Sequence, residues 1–108
     1  MQKEFLLTYS VGNKFPIEKD REKADKVRRD IAQLTCWKKL DKVETTFFGS
    51  MDITGVTDSD KKTSAKRNVR DQFIPILAKH EAVSLDVTIY CAIMLAGVDG
   101  VYEFEVEN

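Results

Sequence analysis

The sequence is short of the residues that staple, kink or ligate a chain: 2 cysteines, 2 prolines, 5 glycines and 1 histidine among 108 residues. Cys36 and Cys91 fall far below the density of a disulfide scaffold and lack the CxxC spacing of a zinc or redox pair. So little glycine and proline excludes collagen-like and low-complexity architectures. A single histidine, His80, excludes histidine-based metal clusters within one chain and any in-chain mechanism needing two imidazoles. Gly49 and Gly55 make neither a GxxxxGK nor a GxGxxG phosphate loop. No apolar run has transmembrane length, because the longest, Val83–Val98, is broken by Ser84, Asp86 and Thr88. The opening Met1-Gln2-Lys3-Glu4-Phe5 carries an acid and no small-residue cleavage site, so no signal peptide is expected. The expectation is a reduced, cytoplasmic protein with no membrane partner.

What is present suits one globular domain over residues 1–108: 43% hydrophobic residues and 9% aromatics are enough to bury a core. The net charge of −1 conceals a strong segregation. Residues 61–80 hold Lys61, Lys62, Lys66, Arg67, Arg70 and Lys79 against Asp71 alone, whereas residues 81–108 hold six acids and no Lys or Arg. Such a basic block is either a cationic surface for phosphates or one half of an internal neutralisation.

Along the chain, Glu4–Val11 alternates with period two, placing Phe5, Leu7, Tyr9 and Val11 on one face of a strand. After Gly12-Asn13, Pro16 suits the first turn of a helix whose inner stripe is Ile17, Ala24, Val27, Ile31 and Leu34. Trp37–Gly49 reads as two short strands bent near Asp41, and Gly49–Asp60 as a loop in which Met51-Asp52-Ile53 could add a short strand. A second helix is expected to start at Asp58, Ser59 or Asp60 and to bury Ala65, Val69, Phe73, Ile76 and Leu77, with a kink near Ile74 caused by Pro75. Val83–Leu95 reads as a long strand, and Val101–Val106 as a strand whose polar face, Glu103, Glu105 and Glu107, is wholly acidic and suits a sheet edge. The order implies an α+β, two-layer ferredoxin-like sandwich, βαββαβ with a C-terminal strand added. Its helices cover one sheet face, and a second copy of the chain is the simplest cover for the other.

Candidate chemistry is sparse. Lys62, Lys66 and Arg70, at i, i+4 and i+8 with Arg67 beside them, form a basic ridge on the second helix and are the expected contacts to nucleic acid or a protein partner. Asp52, Asp58 and Asp60 could hold a divalent ion, although their spacing matches no calcium loop and two of them are natural helix caps. Trp37, Phe47, Phe48 and Tyr9 could stack bases, but ten aromatics sharing one core are more often packing. His80 suits a helix C-terminus, and Cys91 a buried strand face.

Four segments carry a resemblance. Leu6-Leu7-Thr8-Tyr9-Ser10-Val11, Lys26-Val27-Arg28-Arg29, Thr46-Phe47-Phe48-Gly49 and Asp86-Val87-Thr88-Ile89-Tyr90 occur in this order. They look like the first strand, the basic first helix, the S-V-F-E-G strand and the strand after the second helix of the CRISPR-adaptation endoribonuclease family, whose relatives include virulence-associated protein D toxins. The resemblance implies the ferredoxin-like fold and a symmetric dimer in which the last strand pairs with the partner's sheet. The family's metal-binding acid would fall at Ser10, and a hydroxyl supplies no charge to neutralise Mg²⁺ or orient its water. Fold and dimer are thus implied without the cleavage chemistry. Three functions follow as expectations: a homodimeric, non-catalytic binding module without cofactor; a Mg²⁺-dependent endonuclease on RNA or DNA, with Asp52 or Asp58 replacing the missing acid; and a small-molecule sensor.

Overall fold

The strand β1 (Gln2–Asn13) is the centre of the molecule, in a computed structural model that describes residues 1–108. Its alternation decides its position: Phe5, Leu7, Tyr9 and Val11 are buried, so this face must lie on a core and cannot be a free edge. β1 is flanked on one side by β3 (Thr46–Asp52) and on the other by β4 (Val87–Leu95). β2 (Lys38–Lys39) extends the sheet beyond β3, and β5 (Tyr102–Val106) extends it beyond β4. The order is β2-β3-β1-β4-β5, and every neighbouring pair is antiparallel. The chain is therefore α+β, an open five-stranded antiparallel sheet with two helices.

Helices α1 (Glu18–Ala32) and α2 (Asp58–Lys79) pack on the face that carries the odd-numbered β1 residues. Ala24, Val27 and Ile31 of α1 and Ala65, Val69, Phe73, Ile76 and Leu77 of α2 join that face in one hydrophobic cluster. This is the stripe that the helical spacing requires. Tyr9 stacks on Phe47 and meets Phe73 edge-on, while Trp37 meets Phe5, Phe47 and Phe73 edge-on, so the ring set is the centre of the core.

Several boundaries differ from the sequence expectation, each for a tertiary reason. β3 runs through Gly49 to Asp52 because each of its residues pairs with β1, Gly49 lying opposite Phe5, and ladder pairing overrides the turn propensity of Gly49-Ser50. α2 is capped one residue earlier than expected, by Thr57, whose side chain accepts from the Asp60 amide at 3.1 Å. Gly55, at φ +112, turns the chain into that cap, and a Cβ there would collide with Asp60. α2 passes through Pro75 and ends at a Schellman motif, with Ala82 N–H on Leu77 O at 2.9 Å and Glu81 N–H on Ala78 O at 3.1 Å. That motif places Glu81 at φ 53 and delays β4 to Val87, so Val83 and Leu85 are exposed. α1 begins after Ile17, which supplies no side-chain cap and is itself exposed.

Candidate nucleic-acid interface

The middle of α2 turns its inner stripe to the sheet and leaves its bases on the flank. Lys66, Arg67 and Arg70 line a concave surface of about 560 Å³ together with Thr63, Asp71, Ile74 and Pro75. Lys62 is half-buried and lies outside that concavity, so three of the four expected contacts converge and the fourth stands a turn away. None of the four takes part in an ion pair within 4.0 Å. Asp71 is the one acid on the rim, and Ile74 supplies an apolar floor. Neither was visible as a site residue in the sequence, because only the folded helix shows which neighbours share the concavity. The surface carries no exposed aromatic ring, so it can hold an anionic backbone but has no platform for a base.

The remaining sequence candidates are dispersed. Asp52 pairs with the Met1 ammonium at 2.8 Å, while Asp58 and Asp60 occupy the first turn of α2. No three His, Cys, Asp or Glu side chains converge. Tyr9, Phe47 and Trp37 belong to the core, and Phe48 lies on the opposite sheet face beside Leu6. Burial pushes the Cys91 thiol up to about 12, and partial desolvation also raises that of Cys36, so neither site favours a thiolate. His80 is the C-cap of α2, and its Nε2 lies 2.7 Å from Asp30 Oδ2 on α1. That hydrogen bond, followed by one from Lys79, holds the Asp30 carboxyl below the usual carboxylate range. The cluster ties the helices together, and sequence reasoning missed its second partner.

Two other surfaces are notable. The even-numbered sheet face has no helix: Leu6, Met94 and Tyr90 are 45%, 48% and 50% exposed there, beside half-buried Phe48 and Ala92. Register places Lys38 at one margin of this face and Glu103 and Glu105 at the other. The second surface is a cavity of about 320 Å³ at the far end of β1, lined by residues of β1, α1, β2 and the segment before β3. Comparison with protein families, characterised proteins and solved structures finds no match for the chain.

Proposed function

We propose that this protein is a homodimeric, non-catalytic module that binds nucleic acid through the basic flank of α2. The observation carrying the reading is the convergence of Lys66, Arg67 and Arg70, free of ion pairs, around one concave surface. Unpaired cations keep their full attraction for phosphates, and each phosphate neutralised releases condensed counterions. The strand order, with β1 central and α1 and α2 on one face, supports a ferredoxin-like arrangement with β5 appended. Kinship to the CRISPR-adaptation endoribonuclease and virulence-associated protein D group belongs to the same proposal and rests on the resemblance of the four sequence segments. Ser10, within β1 and three residues before its end, brings no carboxylate, which favours binding over cleavage.

The dimer is proposed through the open sheet face. Its margins carry opposite charge, Lys38 against Glu103 and Glu105. A twofold axis parallel to the strands sets each margin over its opposite in the partner, whereas an axis across the strands sets like over like. Charge therefore favours the first arrangement, with Leu6, Met94 and Tyr90 buried between the sheets.

Fluorescence anisotropy of labelled RNA and DNA across a salt series tests the reading. Four phosphate contacts per protomer give a log–log slope of about −3.6 on duplex DNA and about −2.8 on a single strand. Changing Lys62, Lys66, Arg67 and Arg70 together to Glu abolishes binding. If the variant binds as the parent does, the α2 interface is wrong. If the parent cleaves RNA or DNA only with Mg²⁺, and Asp52→Ala or Asp58→Ala stops it, the endonuclease alternative replaces this reading.

A further inference from the structure

The cavity at the end of β1 owes its existence to a mismatch of strand lengths. The β1–β3 ladder stops at Thr8–Thr46, while β1 continues to Asn13 beside β4 alone. Tyr9 N–H still reaches Thr45 O at 3.0 Å, so odd-numbered amides of β1 point toward this edge. Val11 comes next on that edge, where β3 has no residue left to meet its N–H. Its carbonyl, on the same edge, accepts from Arg28 Nη2 at 2.6 Å. The notch thus offers a backbone donor beside a guanidinium whose other nitrogen, Nη1, is bonded to Asp25.

Around it stand groups with no partner in the fold. The Tyr9 hydroxyl makes no side-chain hydrogen bond, although its ring is buried. Burial, then the Glu44 charge, raises the Tyr9 pKa, so the phenol remains a donor. Lys39 and Glu44 both line the cavity, and neither takes part in an ion pair within 4.0 Å. Two opposite charges that share a cavity without touching leave room for a ligand that meets both. Arg28 is already paired with Asp25 outside the cavity, which leaves Lys39 and Glu44, one charge of each sign, as the unpaired charges of the lining. Such a set does not suit a dianion such as a phosphomonoester. A volume of about 320 Å³ sits at the lower end of small-molecule sites.

We propose that this cavity binds a small zwitterion of the α-amino acid class, its carboxylate held by Lys39 and the Val11 N–H and its ammonium by Glu44. The site is separate from the α2 surface and does not depend on it. Ligand-observed saturation-transfer NMR on the intact protein, with a mixture of proteinogenic amino acids, tests it first. Binding of one or more at a Kd of about 1 mM or tighter is expected. The N-acetylated and the carboxamide forms of each hit lose about tenfold or more in affinity. Lys39→Met and Glu44→Gln each lose as much, whereas the α2 reversal leaves the affinity unchanged. Absence of binding across the mixture overturns the proposal, as does equal affinity for the N-acetylated form, since either removes the requirement for both charges. Binding of inorganic phosphate in place of the amino acids also overturns it, making the cavity a simple anion site.

Discussion

The two helices carry similar numbers of bases and use them differently. On α1, Lys19, Arg21, Lys26 and Arg29 alternate with Glu18, Glu22 and Asp25, and the remaining two bases are tied into the fold. Lys23 Nζ donates to Asp86 Oδ2 at 2.8 Å and to the Glu81 carbonyl at 3.0 Å, clipping α1 to the turn between α2 and β4. Arg28 holds the free carbonyl of Val11. On α2, Lys61–Arg70 contains five bases and no acid, and none of them pairs. A base that satisfies an acceptor of the fold belongs to the architecture. One left without an ion-pair partner, on a face where bases outnumber the single acid Asp71, is available to something outside the chain. Formal charge does not separate these cases; partners do.

The largest effect that can break this contrast is the α2 reversal, which removes nucleic-acid binding while the protein stays folded. It loses no more than about 2 kcal/mol over the four substitutions, because none of the four bases has an ion-pair partner in the fold. Next comes the sheet face. Leu6→Glu with Met94→Glu weakens dimerisation by at least ~2 kcal/mol in analytical ultracentrifugation, by burying charge at the centre of the proposed interface. Binding by the resulting monomer shows about half the salt slope on a DNA long enough to engage both protomers of the dimer.

On α1 the expected outcome is the converse. Lys23→Met destabilises the protein by about 1–3 kcal/mol in urea denaturation, because the Asp86 carboxylate and the Glu81 carbonyl both lose their donor, and leaves nucleic-acid binding unaltered. The same variant changes the acid limb. The hydrogen bond from Lys23 lowers the Asp86 pKa below its ordinary value of 3.8. A carboxyl with a lowered folded-state pKa adds stability that is present in full above the ordinary value and is lost as pH falls through the lower one. Lys23→Met removes that contribution, so its stability falls less steeply than the parent's below pH 3.8. The smallest effect is at the start of α1, where exposed Ile17 caps nothing. Ile17→Asn raises stability by ~1 kcal/mol by capping a free amide.

Much of the fold was legible because it rests on periodicity. The β1 face of Phe5, Leu7, Tyr9 and Val11 and the α2 stripe from Ala65 to Leu77 are buried as their spacing requires. Propensity misled where pairing or capping prevailed, as in Gly49-Ser50 within β3 and in the Schellman turn that keeps Val83 and Leu85 out of β4. Asp20 was invisible for another reason. It occupies the first turn of α1 among polar residues, yet is 2% exposed, and its Oδ2 has no partner. The basic ridge of α2 was legible because one helix supplies it in sequence, at i, i+4 and i+8, although Lys62 stands outside the concavity and Asp71 and Ile74 share it unannounced. The Tyr9–Arg28–Lys39–Glu44 cavity and the His80–Asp30 tie were not, since each draws on segments brought together only by the sheet and its crossovers.

One comparison tests the contrast most directly: the salt dependence of duplex DNA binding by the parent, by the α2 reversal, and by an α1 variant with Lys26→Glu and Arg29→Glu. Parent and α1 variant sharing one steep slope, with the α2 reversal showing no measurable binding, is the predicted result. Equal losses in the two variants would mean that the protein's net charge, and not the unpaired face of α2, draws the nucleic acid.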